Sequence, residues 1–195
     1  KKRQLLDSIR LEQQRIRKIE IAMRDFKEST IETHYNVTIK SVPGCKILSL
    51  RKTVADYYCE GRLWEQLYAF VREEQIKLSP GTNNLAIYHN GGTTEDGVDI
   101  EVGVMVEREG ADKGGFCYRE TEAVEDMACI MVYGPYENIG LSYHAFACWM
   151  EEHSQYEIAG PSRQICHIGS WDESDSQKFL TEVQTPVRRI LTLTP

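Results

Sequence analysis

The feature that most constrains the fold of this chain is an order of predicted elements that occurs twice. After residue 34 the pattern runs strand, strand, helix, strand, strand, and the same order begins again at residue 116. A single shift of 79 residues superimposes apolar positions from the start, middle and end of this order: Val37 on Phe116, Phe70 on Trp149, and Ile100 on Phe179. One shift that holds along a whole segment indicates a duplicated unit.

The predicted elements follow from periodicity and turn residues. Ile100, Val102 and Val104 alternate as in a strand, whereas Leu63 and Leu67 recur at helical spacing. The predicted helices cover 60–76 and 140–152, and the predicted strands cover 36–42, 46–50, 85–89, 99–107, 116–121, 128–134, 163–168 and 179–187.

The fold expected from this order is α+β, with a duplicated strand, helix, strand, strand domain. We predict this domain over 34–190, with repeats at about 34–108 and 115–190. Each repeat should form an antiparallel sheet with its helix on one face, and the two sheets should surround a pseudo-twofold cleft.

A separate helix is predicted before the duplicated domain. Residues 3–29 contain no Gly or Pro, and their apolar residues recur at heptad spacing that only Glu12 interrupts. Such a narrow stripe is best buried against a partner helix, so we expect a coiled coil over 1–29 and a homodimer. The alternative is a helix folded back on its own domain. The predicted dimerisation residues are Leu5, Ile9, Ile16, Ile19, Met23 and Phe26.

Charge and composition exclude several classes of protein. The chain has 195 residues and a formal net charge of −7, so most of its surface should repel a nucleic-acid backbone. It has no apolar run near the roughly 20 residues of a membrane span and no signal-peptide core, so we expect no membrane partner and a cytoplasmic location. The six cysteines and the histidines lack ligand spacing, which favours free thiols, no metal and no cofactor.

The segment RQICHI contains a cysteine beside a histidine but does not predict a reactive pair. Adjacent strand residues point to opposite faces, so Cys166 and His167 cannot act together as thiolate and imidazole. No catalytic residue is therefore assigned.

Carboxylates lie on the strand faces opposite the apolar face. Glu101 faces away from Ile100 and Val102, and Glu182 occupies the matching face of the last strand. A carboxylate among apolar residues needs solvent or a cationic partner, and near the repeat axis that partner could be a ligand. Neighbouring elements are rich in aromatic residues, which we expect to line a pocket on the side away from the helix. Their alternative role is to fill the core.

Several segments in this order resemble a known family. They are YNVTIKSVPGCKILSLRKTV, EGRLWEQLYAF, PGTNNLAIYHN, DIEVGVMVE and FLTEVQTPV. Together they resemble the GyrI-like effector-binding domain, and the heptad helix resembles the dimerisation helix of MerR-family regulators. The resemblance implies a ligand cleft, and a DNA-binding domain before Lys1, absent here, through which DNA and RNA polymerase would be engaged. The ligand-binding residues it implies are Trp64, Tyr68, Tyr88, Tyr133, Gln164 and Glu182, to which the strand pattern adds Glu101.

One position departs from the family pattern. Many relatives have a buried glutamate where this chain has Gln164. Because glutamine is neutral, it cannot supply the charge that holds a cation. Either Glu182 or Glu101 takes that role, or the ligand is neutral or polar.

The function expected is that of the effector-binding and dimerisation part of a MerR-type regulator, which senses hydrophobic or cationic drug-like molecules. Two alternatives remain open. One is a hydrolase of electrophilic small molecules that uses Glu182 with a pocket tyrosine such as Tyr133. The other is a protein-binding module of the gyrase-inhibitor kind, in which the acidic surface matters and the pocket does not.

Overall fold

The structure is a computed structural model that describes residues 35–79, 81, 84–89 and 97–190. Within these ranges the chain is mixed α+β, with nine strands and two α-helices. The coiled coil and dimerisation residues predicted over 1–29 lie outside the described residues. Neither helix in the described ranges is long and apolar enough to cross a membrane.

The two helices are each preceded by a single 3₁₀ turn. The helices are α1 (Glu60–Glu73) and α2 (Ile139–Glu152), and the turns are Tyr57–Cys59 and Tyr136–Asn138. The strands in chain order are β1 (Thr38–Val42), β2 (Lys46–Val54), β3 (Asn84–Tyr88), β4 (Val98–Met105), β5 (Phe116–Glu120), β6 (Val124–Tyr133), β7 (Tyr156–Ile158), β8 (Ser162–Ile168) and β9 (Leu180–Arg189).

These elements form two compact units, and each unit contains parts of both sequence repeats. The first unit comprises Ser41–Glu125 and Pro161–Ile165. The second comprises the described residues of Lys1–Lys40, Asp126–Gly160 and Cys166–Pro195. The first unit therefore contains β5, which opens the second repeat, and the second unit contains the start of β1, which opens the first repeat.

The first unit is an antiparallel sheet with α1 on one face. Its strands lie in the order β3, β4, β2, β5. Leu48 pairs with Val104, and Ala86 pairs with Val102, so these side chains project from the same face. α1 packs on that face because its apolar residues are spaced three and four apart. The buried residues of α1 are Leu63, Trp64, Leu67 and Val71.

The second unit follows the same plan. β9 pairs antiparallel with β6 over Leu180–Pro186 and with β7 over Val187–Arg189. α2 covers the face that carries Ile130 and Val183. On both sheets the opposite face bears a glutamate, Glu101 or Glu182, because strand side chains alternate.

The bounds of the helices repeat the shift found in the sequence. α1 and α2 each have 14 residues, and each begins 79 residues from its counterpart, at positions 60 and 139. Leu67 and Phe146 are equivalent under this shift, and both are buried against their own sheet. The two 3₁₀ turns obey the same shift.

Most elements begin or end one to four residues from their predicted bounds, and three differences have a clear physical reason. α1 stops at Glu73 rather than at 76, because Gln75 adopts a left-handed conformation with φ 52° and turns the chain out of the helix. β2 continues to Val54 because its pairing with β4 continues to Val98. The short strand β7 was not predicted, since it is defined by its pairing with β9 rather than by its own pattern.

The core beneath α1 can be tested by shortening one side chain. Leu67 is 0% exposed, so Leu67→Ala should lower the free energy of unfolding by about 2–5 kcal/mol. Urea denaturation followed by circular dichroism measures this change. Glu65→Ala, at an exposed position of the same helix, should change stability by less than about 0.5 kcal/mol. Equal effects of the two substitutions would contradict the packing described.

Candidate functional site

A buried carboxylate lies on the face of the first unit that α1 does not cover. Glu101 of β4 pairs with Arg51 and Ile87 in the register and is only 3% exposed. Arg119 of β5 donates two hydrogen bonds to it, from Nε to Oε1 and from Nη2 to Oε2, both at 2.7 Å. Nε2 of His89 lies 2.8 Å from Oε2. We call Glu101, Arg119 and His89 the Glu101 cluster.

The charge state of Glu101 follows from this geometry. Burial raises the pKa of Glu101, but hydrogen bonds from Arg119 and His89 help to outweigh burial and lower this pKa from 4.5 to about 2. Glu101 is therefore ionised at neutral pH, and the Arg119 guanidinium matches its charge. Because an ionised carboxylate only accepts hydrogen bonds, Nε2 of His89 carries the proton that it shares with Glu101.

A second buried carboxylate occupies the corresponding face of the second unit. Glu182 of β9 is 1% exposed. Nζ of Lys40 lies 2.5 Å from its Oε1, Nε2 of His167 lies 2.8 Å from its Oε2, and Nε2 of Gln184 donates to Oε1 at 3.0 Å. Burial lowers the pKa of Lys40, but Glu182 outweighs this effect and raises it. We call these four residues the Glu182 cluster.

The two clusters are related by the duplication. Lys40 and Arg119 are separated by the same 79 residues that relate α1 to α2. Each cluster also has one histidine from the end of a strand, His89 after β3 and His167 in β8. Since Arg119 lies in the second repeat and Lys40 in the first, each carboxylate is paired with a basic residue from the other repeat.

The aromatic residues predicted to bind ligand form a hydrogen-bonded group around α1. Nε1 of Trp64 donates to Oε1 of Glu60 at 2.9 Å, and the Tyr88 hydroxyl donates to Oε2 of Glu60 at 2.8 Å. The rings of Trp64 and Tyr68 have centroids 6.3 Å apart. The Tyr68 hydroxyl donates to Oδ1 of Asn84 at 2.5 Å. A carboxylate and three aromatic rings are thus held together on the helix side of the sheet.

This arrangement corrects one expectation from the sequence. Trp64, Tyr68 and Tyr88 were expected on the side of the sheet away from the helix, and this placement is wrong. Tyr88 pairs with Ile100, which belongs to the core beneath α1. Because neighbouring strand residues point to opposite faces, Glu101 projects away from the helix and from these rings.

The remaining predicted ligand residues divide in the same way. Gln164 is half-buried and alternates with Ile165, which packs on the Glu101 side of its sheet, so Gln164 projects toward the helix side. Tyr133 is also half-buried, and because it pairs with Leu180 it shares a face with Glu182. The structure thus brings Trp64, Tyr68 and Tyr88 together, and it puts Tyr133 on the face of Glu182. Their role in ligand binding stays a prediction.

Sequence reasoning missed most of the polar partners. It assigned no role to Lys40, Arg119 or His89, although the 79-residue shift superimposes Lys40 on Arg119 and could have suggested that they are equivalent. His167 was examined only as a partner of Cys166. No sequence pattern identified Glu60 as a partner of Trp64 and Tyr88, because its two hydrogen bonds depend on how α1 packs against β3.

The cysteine and histidine of β8 are separated as predicted. His167 is buried against Glu182, whereas Sγ of Cys166 lies 3.9 Å from the Tyr136 hydroxyl. Within residues 35–79, 81, 84–89 and 97–190, no three His, Cys, Asp or Glu side chains are grouped closely enough to hold a metal ion.

A surface groove of about 350 Å³ lies at one end of the first unit. None of the predicted ligand residues lines it, and four of its seven lining residues are charged, so it does not resemble the predicted aromatic ligand site. The lining residues are Ile76, Lys77, Glu107, Arg108, Glu109, Gly110 and Tyr118.

The fold places the chain in a known class of protein. The duplicated α+β arrangement is that of a small-molecule-binding domain: residues 35–188 match the family of the GyrI-like small molecule binding domain. The chain belongs to this family. No curated protein matches it significantly.

Solved structures with the same fold include parts of a protein called EcmrR. The EcmrR C-terminal domain matches 80% of this chain and 99% of its own length, with a TM-score of 0.68 and 23% identity. EcmrR from the EcmrR-DNA complex in EcmrR-RPo matches 97% of this chain and 70% of its own length, with a TM-score of 0.74 and 21% identity. SAV2435 bound to tetraphenylphosphonium matches 79% of this chain and 93% of its own length, with a TM-score of 0.55 and 11% identity. Because these sequence identities are all 23% or lower, the similarity shows a shared fold and nothing about function.

The Glu101 cluster predicts how stability depends on pH. Since folding lowers the pKa of Glu101, its ionised form contributes stability above pH 4.5, and this contribution is lost as the pH falls from 4.5 to about 2. Denaturation curves at a series of pH values should therefore show a shallower decline for Glu101→Gln than for the wild type in this window. Arg119→Met removes the main hydrogen-bond donor to Glu101, so the loss of stability should occur at higher pH than in the wild type. Identical pH profiles for the wild type and both variants would contradict this account.

Proposed function

We propose that the chain is the effector-binding and dimerising part of a MerR-type transcriptional regulator. The observation that carries this proposal is membership of a small-molecule-binding family together with the fold likeness to EcmrR, a protein solved in complex with DNA. That likeness extends over 97% of this chain. A hydrophobic small molecule would act as the effector. As in the EcmrR-DNA complex, the regulator would act on DNA, and contact with DNA and RNA polymerase would be made through a separate DNA-binding domain.

The aromatic group around α1 supports a hydrophobic effector. Trp64, Tyr68 and Tyr88 contribute rings from one helix and one strand, and Glu60 fixes two of them by hydrogen bonds. Trp64 and Tyr88 are buried, so an effector would have to enter between rings that already pack together. Aromatic rings held rigidly in this way bind flat apolar molecules with little loss of conformational entropy. Gln164 projects to the same side of the sheet and offers a neutral donor and acceptor.

The buried carboxylates support a sensor rather than a hydrolase. Both oxygens of Glu182 accept hydrogen bonds, from Lys40, His167 and Gln184, and the residue is almost fully buried. A general base must reach the proton that it removes from a substrate or water. Glu101 is likewise held by Arg119 and His89, so neither group is available for proton transfer in this arrangement.

The same pairing bears on the charge of the effector. Each buried carboxylate is already neutralised by a basic residue of the chain, so a cationic effector would have to displace Arg119 or Lys40 to reach it. Breaking such a buried pair is unfavourable. Neutral molecules are therefore better candidates than cations for recognition near these clusters.

Dimerisation can be tested by one substitution on the heptad seam. Ile16→Asp should convert a dimer into a monomer of 22.4 kDa, because a charge on the seam cannot be buried against a partner helix. Light scattering during size-exclusion chromatography measures the mass. Gln14→Asp adds the same charge away from the predicted seam and should leave the dimer intact. A wild-type chain that is monomeric at micromolar concentration would overturn the dimer proposal.

Gln164 offers a test of effector binding and its selectivity. Tetraphenylphosphonium and neutral triphenylphosphine oxide are matched aromatic probes, and their binding is measured by thermal shift and calorimetry. Gln164→Glu should improve the affinity for the cation relative to the neutral probe by about fivefold, because it adds a half-buried negative charge. Gln177→Glu adds the same charge at an exposed position and should change the ratio little. If Gln164→Glu leaves the ratio unchanged, Gln164 does not contact the ligand.

A further inference from the structure

Arg163 is a buried cation that the clusters already described do not include. It lies on β8 and is 8% exposed. Its Nε atom is buried and has no hydrogen-bond partner, and no described residue forms an ion pair with its guanidinium. Buried arginines are ordinarily paired, because a guanidinium stays charged and its transfer out of water costs free energy.

The side chain lies on the same face of the first unit as the Glu101 cluster. Arg163 and Ile165 project from one face of β8, since they are two residues apart. Ile165 packs with three aliphatic residues of that face, Ile47, Leu85 and Ile87. Cys45 and Met105 pack against the same group. Arg163 therefore places a positive charge beside an apolar layer.

The charges around Arg163 do not neutralise it. Arg119 repels it, and Glu101, which attracts it, already accepts hydrogen bonds from Arg119 and His89. Glu122 also attracts it but is exposed and not within ion-pair distance. Burial, together with the Arg119 charge, lowers the pKa of Arg163, yet a guanidinium remains protonated at neutral pH. This face thus has two guanidinium groups for one buried carboxylate.

We propose that Arg163 binds an oxyanion, and that the effector is an apolar molecule with a single carboxylate, sulfonate or phosphate group. The planar guanidinium donates hydrogen bonds in a geometry that suits such a group. The neighbouring aliphatic side chains suit an apolar body. This inference rests on the proposed function; it specifies the chemistry of the effector and places its site on the face of the first unit opposite the aromatic group around α1.

The arrangement at Arg163 also explains why the effector should stabilise the protein. The Arg163 side chain is largely removed from water and its Nε atom has no partner among the described residues, which is unfavourable for a charged group in the folded state. An oxyanion that pairs with it removes that penalty in the folded protein only, so binding and folding are linked. Under this proposal the positive charge of Arg163 is retained because it binds the effector, although it lowers the stability of the folded protein.

Two dyes that differ by one group provide the test. The first is 8-anilinonaphthalene-1-sulfonate, and the second is N-phenyl-1-naphthylamine, which has the same rings without the sulfonate. Both fluoresce on entering an apolar site, so fluorescence titration gives their dissociation constants. The intact 195-residue chain is used, and each variant is first checked for cooperative thermal unfolding.

The wild type should bind the sulfonate dye more tightly than the neutral dye. Arg163→Met should weaken sulfonate binding by about tenfold, the usual worth of a hydrogen bond to a charged group, and should leave the neutral dye within about twofold. Arg163→Lys keeps the positive charge but lacks the planar set of hydrogen-bond donors, so the loss of affinity for the sulfonate dye should be intermediate. Arg62→Met removes an exposed charge on α1 and should alter neither dye.

A second measurement does not depend on the dyes. Without ligand, Arg163→Met removes an unpaired buried charge and should raise the midpoint of thermal unfolding by about 2–6 °C, whereas Arg62→Met should leave it unchanged. Should Arg163→Met fail to fold, the dye comparison is made with Arg163→Lys.

The outcomes separate the two proposals. If the wild type binds neither dye at a saturable site, the proposed small-molecule function fails, and the oxyanion site fails with it. If both dyes bind but the sulfonate confers no advantage, or Arg163→Met weakens both equally, the oxyanion site alone is overturned. A lower midpoint for Arg163→Met would show that Arg163 serves packing, which also overturns it.

Discussion

The buried pairing of Glu101 with Arg119, and of Glu182 with Lys40, is the interaction on which the rest of this structure depends. A carboxylate in the middle of a sheet is tolerated only when a cation and further hydrogen-bond donors satisfy it. Here each basic partner comes from the first strand of the other repeat. Neither repeat therefore contains the cation that its own carboxylate requires. Both carboxylates are neutralised only when both repeats are present.

This requirement explains how helices and charges are distributed. One face of each sheet is apolar and covered by a helix, and both buried glutamates lie on the opposite face. There, Glu101 and Glu182 are satisfied by the chain itself, whereas Arg163 is not. Carboxylates neutralised within the chain, together with an Arg163 Nε that has no partner among the described residues, fit the proposed anionic effector better than a cation. Proteins that share a fold can differ in ligand charge through a few buried residues.

Much of the fold could be predicted from local pattern. Leu63 and Leu67 define a helix by their spacing, and the alternation of Ile100, Val102 and Val104 defines a strand and places Glu101 on its other face. The end of α1 was predicted too late, because a left-handed Gln75 carries no residue signal of the kind that glycine gives. β7 was missed because three residues are too few for a pattern. The site was predicted less well, since Lys40 and Arg119 are brought to their carboxylates only by pairing between distant strands.

The sequence by itself determined the duplication, the 79-residue shift, the two helices and the faces on which Glu101 and Glu182 lie, because these follow from spacing along one segment. Only the tertiary structure decided that Trp64 and Tyr88 share Glu60 on the helix side and that strands from opposite repeats supply Arg119 and Lys40. It also decided that Arg163 is buried with its Nε atom unpartnered among the residues that the structure describes. These properties depend on which residues meet across the sheet. Local periodicity cannot encode them, since pairing between distant strands is settled by the packing of the whole unit.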